Sequence, residues 1–199
     1  MNDDEILKEI RDRFAEAEDA VSDLYDACID DLTFLEGGAQ WPSDVKTDRD
    51  TDGRPCLEIN KLGVFCDQVI GDLRQNAPSI KVKPVDNQAD PGTAEVLTGL
   101  IRNIEVQSSA DIAYDTASES ATQCGKGCFR IMTDYADDES FDQEIRIRRI
   151  KNPFTVYWDP AAIEWDKRDA RYCFVTEKLS REEFKRQYPD ATVKEFQAS

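Results

Sequence analysis

From Leu7 to Cys28 apolar residues recur at alternating spacings of three and four: Leu7, Ile10, Phe14, Ala17, Val21, Leu24 and Cys28. This is the stripe of an amphipathic helix, and it obliges the segment to lie against something. Leu32 and Leu35 prolong it to Gly37-Gly38, where left-handed backbone can end the helix. At 1.5 Å per residue the helix would run about 45–50 Å, more than a compact domain of this length needs. Two arrangements account for it: a core helix with one face in water, or a helix packed on a neighbouring subunit. Residues 1–36 also hold 13 acids and 3 bases, which places −10 of the chain's −17 on this one element.

That charge limits the function classes. With 42 Asp and Glu against 25 Lys and Arg, a free-standing binder of phosphate backbones is disfavoured. The chain has no histidine, so a Ser-His-Asp triad, a Cys-His dyad, a His-bearing zinc site and an imidazole switch all lack their central residue. The six cysteines (Cys28, Cys56, Cys66, Cys124, Cys128, Cys173) are scattered, and read as reduced thiols filling apolar positions rather than as a disulfide framework. The acidic start has neither the basic nor the apolar region of a secretory signal, and no apolar run is long enough to span a bilayer. The expectation is a soluble protein without a membrane partner.

Beyond residue 38 the pattern predicts an α+β fold. Residues 39–56 form a connection rich in turn formers, with Trp41 as its large apolar anchor. Asn60 can cap a second helix, in which Leu62, Phe65, Cys66, Val69, Ile70 and Leu73 recur until Asn76-Ala77-Pro78 ends it. Ile80, Val82 and Val85 suggest a short strand that Pro84 confines to an edge or an end. Asp90-Pro91 opens a further helix with Leu97, Ile101 and Ile104 inside. At Ser108-Ser109 it kinks or restarts, and a stripe of small residues follows: Ala110, Ala113, Ala117, Ala121 and Cys124, with Tyr114 beside it. After Gly125-Lys126-Gly127 the period changes to two, predicting an antiparallel meander of strands at 128–135, 143–150, 154–158 and 171–177. Ser180 and Glu183 are spaced as a capping box for a short C-terminal helix ending at Tyr188-Pro189, before a polar tail. The domain reading is a long acidic helix (1–38), a mainly helical segment with one strand (39–126), and a sheet with its terminal helix (127–199), together one α+β domain.

Three groups of residues resemble chemical sites. Asp48, Asp50, Asp52 and Gly53 match the start of a calcium loop, but Ile59 stands where the bidentate Glu belongs and Pro55 lies inside. Asp134, Asp137, Asp138, Glu139, Asp142 and Glu144 could hold Mg²⁺ for a carboxylate-based nuclease, yet they occupy a strand connection with Arg146, Arg148 and Arg149 close by. Cys124-Gly-Lys-Gly-Cys128 lacks metal-site spacing and the P-loop pattern. No catalytic, cofactor or metal residue emerges. A calcium-tuned acidic module and an Mg²⁺ nuclease remain the alternatives to a structural role.

The order of segments resembles the N-terminal part of portal proteins of short-tailed double-stranded DNA bacteriophages, from about residue 10 to about residue 190. The resemblance is carried by Arg54-Pro55 with Asn60, by Arg74-Gln75-Asn76 with Pro78, by Leu100-Ile101-Arg102-Asn103-Ile104-Glu105, by Ala113-Tyr114-Asp115-Thr116-Ala117 and by Asn-Pro-Phe-Thr-Val-Tyr-Trp-Asp-Pro at 152–160. Lys126 departs from the apolar or aromatic residue more common there. The resemblance implies a non-enzymatic subunit of a dodecameric ring in the virion, assembled in the host cytoplasm at one capsid vertex. Its implied partners are its own copies, terminase, capsid and scaffold proteins, and duplex DNA passing loosely during packaging and ejection. Trp41, Arg54, Asn60, Arg74, Asn76, Pro78 and Tyr114 are the residues it marks as structural motif or subunit contact. No cofactor is implied.

Overall fold

The computed structural model describes residues 2–37, 40–85, 90–137 and 139–189. Gly38, Ala39, Asp138 and the polar tail from Asp190 lie outside the described residues. The fold is α+β and mostly helical, in two compact units, Met1–Phe154 and Thr155–Ser199.

The first unit begins with helix α1 (Asp3–Glu36). Asn2 Oδ1 accepts from Asp3 N–H at 2.9 Å, and Glu5 Oε2 accepts from Asn2 N–H at 3.0 Å, which satisfies donors the first turn leaves open. The acids of that turn also suit the positive end of the helix dipole. At its other end Gly37 takes φ +88°, and its N–H returns to Phe34 O at 3.1 Å. The predicted stripe is covered only in part: Ala17 and Cys28 are buried, whereas Leu7, Ile10 and Leu24 are exposed, and Tyr25, outside the stripe, is buried instead.

Helix α2 (Ser43–Thr51) follows, where the sequence suggested only a connection. It has no apolar face, so hydrophobic periodicity could not show it. Helix α3 (Leu62–Gln75) ends at Asn76, and residues 77–85 then run without regular structure. The strand expected at Ile80–Val85 is therefore absent. Pro84 has no N–H to give a ladder, and Val82 N–H bonds to Thr98 Oγ1 at 3.1 Å instead of to a strand.

Helices α4 (Pro91–Ser108) and α5 (Ala110–Cys124) meet at Ser109, a left-handed residue at φ +48°, so the predicted break is a fresh start. Asp90 caps α4 by accepting from Gly92 N–H and Thr93 N–H, both at 3.0 Å, and these bonds hold its carboxyl below the usual range. Helix α5 is the hub. It packs on α1, α3, α4 and the hairpin of strands β1 (Phe129–Tyr135) and β2 (Gln143–Arg149). The hairpin is in register from Phe129 opposite Arg149 to Tyr135 opposite Gln143. Ala110, Ala113, Ala117 and Cys124 are buried, and Ala110 and Ala113 form the core with Ile147 of β2, flanked by Ile104 and Tyr114. Small side chains let this helix be approached from several sides.

The second unit holds strands β3 (Val156–Trp158) and β4 (Cys173–Val175), paired antiparallel, and helix α6 (Arg181–Gln187), capped by Ser180 Oγ accepting from Glu183 N–H at 3.2 Å. The four predicted strands thus exist, but they pair two by two rather than as one meander. A 3₁₀ turn at Pro153–Thr155 separates β2 from β3, and Pro153 offers no donor to continue a ladder. No described helix is long and apolar enough to cross a membrane.

Cys28 joins α1 to α5 through Sγ–H donation to Cys124 O at 3.1 Å. Burial pushes its thiol pKa up, with nearby Cys124 and Asp31 adding to the rise. An iodoacetamide time course read by peptide mass spectrometry should therefore label Cys28 at least about tenfold more slowly than exposed Cys173. Equal rates would contradict the burial of the α1–α5 contact.

Candidate functional site

Helix α3 divides its apolar residues between two faces. Gly63, Cys66 and Ile70 turn inward, and Ile70 is buried where α3 packs on α5. Leu62, Phe65, Val69 and Leu73 form a second row, about 100° away around the helix, and are 43%, 64%, 48% and 46% exposed. Neighbouring residues in such a row lie roughly 5–6 Å apart, so the row is continuous. Leu57 and Ile59, just before the helix, are more exposed still. Scattered exposed apolar residues are ordinary; an unbroken row along three turns marks a surface meant to be covered.

Of the residues marked by the sequence, Asn60, Arg74 and Asn76 bond at the two ends of this helix, and the others lie elsewhere in the chain. Asn60 Oδ1 accepts from Leu62 N–H at 3.0 Å at the start of α3, while its Nδ2 donates to Leu35 O near the end of α1. Arg74 Nε pairs with Asp115 Oδ2 at 2.8 Å, tying α3 to α5. Asn76 closes α3 by donating from Nδ2 to Asp72 O at 3.0 Å. Pro78 follows in the irregular exposed segment. Tyr114 OH donates to Glu105 Oε1 at 3.3 Å, and its ring meets the edge of Phe129 at 5.1 Å, so α4, α5 and β1 share one residue. Burial, aided by Glu105, raises the Tyr114 pKa. Trp41 Nε1 donates to Leu57 O at 3.4 Å under the Arg49 guanidinium, 4.8 Å from its ring centre. Arg54 lies 3.8 Å from Asp52. Asn60 and Arg74 thus tie α3 to α1 and α5, while its outer row is left in water.

The calcium reading meets a different geometry. Asp48 and Asp50 stand on α2, where residues two apart point about 200° from each other, so they cannot converge on one ion. Of the acidic run, Asp134 and Glu144 are matched across the hairpin and pair with Arg148 and Arg146 at 2.8 Å and 2.5 Å. Among the described residues no three Cys, Asp or Glu side chains gather where an ion would sit. A cavity of about 240 Å³ opens beside Leu32, Cys124, Lys151 and Phe154. Its lining has no carboxylate pair for acid and base work.

The outer row of α3 escaped the sequence because 3.6-residue periodicity groups Phe65 and Val69 with Cys66 and Ile70 as one stripe. Only the position of α5 separates them. Against known proteins, residues 11–199 match the family model described as Phage P22-like portal protein. A curated portal protein of Acyrthosiphon pisum secondary endosymbiont phage 1 is 28% identical over 190 residues, covering 91% of this chain. The chain spans 26% of that relative's length.

Proposed function

Because the chain belongs to the phage P22-like portal protein family, we propose that it forms part of a structural subunit of a ring at a capsid vertex, a virion component that leaves catalysis to other proteins. The ring is dodecameric in the full-length protein. It provides the passage for genome packaging and ejection, docks the terminase, and meets capsid and scaffold proteins. The observation that carries this reading within the chain is the outward row Leu62, Phe65, Val69 and Leu73 on a helix tied to its neighbours by Arg74 and Asn60. A ring closes by heterologous contacts repeated around one axis, so each subunit needs such a row and a different surface to receive it. Asn60 and Arg74 serve that contact from behind, by tying the helix that bears it to α1 and α5.

The charge fits a passage for DNA. Each phosphate neutralised by Lys or Arg adds affinity, and affinity is drag on a sliding polyanion. A chain at −17 has little capacity to grip. The test is assembly of the full product of the reading frame that encodes this chain, followed by light scattering. Phe65→Asp with Val69→Asp should raise the concentration for half assembly at least about a hundredfold, since unpaired charge in an apolar contact is costly. Circular dichroism should stay unchanged, because both positions are exposed. An unmodified product that remains monomeric at every concentration would sink the reading.

A further inference from the structure

Two cysteines that the ring contact does not use meet where α1 packs on α5. Cys28 donates its Sγ–H to Cys124 O at 3.1 Å, and Cys124 donates its own to Ser120 O at 3.2 Å; both residues are buried. The two thiols are also in hydrogen-bond contact with each other. They lie 96 residues apart in the chain, so the fold alone brings them together. A disulfide asks for close backbones, with Cα atoms within about 7 Å. A Cys28 sulfur already seated on the backbone oxygen of Cys124 marks such an approach. Cys124 is also the last residue of α5, followed by Gly125 at φ +75° with open space beside it, so a bridge can settle there without bending the helix.

The pair can be entered from one side. Cys124 lines the cavity of about 240 Å³ beside Leu32, Lys151 and Phe154, and Cys28 stands behind it, outside that lining. This order suits thiol–disulfide exchange in two steps. Cys124 loses its proton and attacks one sulfur of a low-molecular-weight disulfide; the small S–S bond breaks, a mixed disulfide forms on Cys124, and one small thiolate leaves with that proton. Cys28 then attacks the Cys124 sulfur, the bond Cys28–Cys124 forms, and the second small thiolate leaves with the proton of Cys28. Two protein thiols are oxidised and one small disulfide is reduced to two thiols. Burial makes Cys28 a poor first nucleophile, but as the second it already touches its target. The bridge would also tie down α1, whose 13 acids against 3 bases in residues 1–36 repel one another along the helix.

We propose that Cys28 and Cys124 are a redox pair, which a small disulfide entering through the cavity closes into a covalent link between α1 and α5. The test treats the reduced full product of the reading frame with hydroxyethyl disulfide, native and in guanidinium, traps free thiols with N-ethylmaleimide and maps the peptides by mass spectrometry. In the native protein the Cys28–Cys124 bridge should form at least about tenfold faster than any other pairing. The bridged protein should melt above the reduced one, because the link closes a long loop of the unfolded chain, and dithiothreitol should reverse both effects. In guanidinium the preference should vanish. Cys28→Ser should stop at a mixed disulfide on Cys124. A native bridge from Cys124 to Cys128, a mixed disulfide on Cys124 that persists beside a free Cys28, or a Cys124 that does not react overturns the pair. So does an equal preference for the bridge in guanidinium, since the fold would then play no part in it.

Discussion

Gly127→Ala should lower the folding free energy of the first unit by at least about 3 kcal/mol, at the upper end of what overpacking costs. A Cβ at position 127 would stand 1.8 Å from Ala117 O, 2.6 Å from its carbonyl carbon and 3.1 Å from its Cα. These are backbone atoms in the middle of α5, so no side chain can swing aside to make room. Residues 126–128 would have to move away from the helix instead. That movement would disturb the Lys126 ammonium, held 4.1 Å from the centre of the Tyr25 ring, and the start of β1 at Phe129. At about 2–4 °C per kcal/mol for a unit of this size, the midpoint of thermal unfolding should fall by about 6–12 °C. Gly125→Ala is the control. Its site is open but lies at φ +75°, so the cost is dihedral alone, about 1 kcal/mol. If the two variants melt together, the close approach of the 125–127 turn to α5 is not what the geometry says.

That approach also shows where the sequence is legible and where it is not. Small residues at Ala110, Ala113 and Ala117 announce a helix that others come near, and the structure places α5 at the centre of the unit. The pattern says nothing of which element comes nearest, because Gly127 lies outside the helix and its demand is spatial. Lys126 is likewise readable only in three dimensions: its amine donates to the Tyr25 hydroxyl, whose ring in turn meets the edge of Phe154 at 5.2 Å. The start of α4 was fully legible, because Asp90-Pro91 is a local signal that needs no partner. The opposite case is α2, formed without an apolar face; Thr47 and Thr51 hydroxyls bond back to Ser43 O and Thr47 O at 2.8 Å and 2.9 Å.

The candidate interface divides in the same way. The motif residues Asn60 and Arg74 could be named from the sequence, and both prove to hold α3 in place. The outer row of that helix could not be named, since exposure depends on what α5 leaves uncovered. In the loop that connects β3 to β4, the exposed Trp165 escapes the sequence for a related reason. A lone indole between Glu164 and Asp166 has no periodicity, and its display depends on two aspartates, at 159 and 169, whose backbone bonds are set by loop closure.

Asp159→Ala should release that loop and, with it, the pairing of β3 and β4. The substitution removes the acceptor of Ala161 N–H, Arg171 N–H and Arg171 Nε at one stroke, and leaves those donors to find water in a turn built around a carboxylate. The sheet it closes is short, with three ladder pairs. Amide exchange at Ala161 and Arg171 should rise at least about tenfold, while exchange in α5 of the other unit stays as it was. Acid should act on the same contact. The Ala161 N–H bond, opposed by burial and helped by Arg171, holds the Asp159 carboxyl below the usual carboxylate range, and the Ile163 N–H bond does the same for Asp169. Between the lowered folded value and the ordinary unfolded one, near 3.9, the unfolded chain binds a proton that the folded chain refuses. Stability from these groups is therefore complete above that unfolded value and is lost as pH falls through the folded one. The unmodified loop should accordingly hold at pH 7 and open only as pH falls through the folded value, below the ordinary carboxylate range, whereas Asp159→Ala should already be open at pH 7 and change less with acid. Asp169→Ala gives the contrast, since it removes the bonds to Ile163 and Glu164 but leaves the Asp159 closure intact. It should free the tip that carries Trp165 and spare the β3–β4 ladder. A loop that exchanges no faster in Asp159→Ala would mean that the strand pairs, and not the buried carboxylate, set its shape.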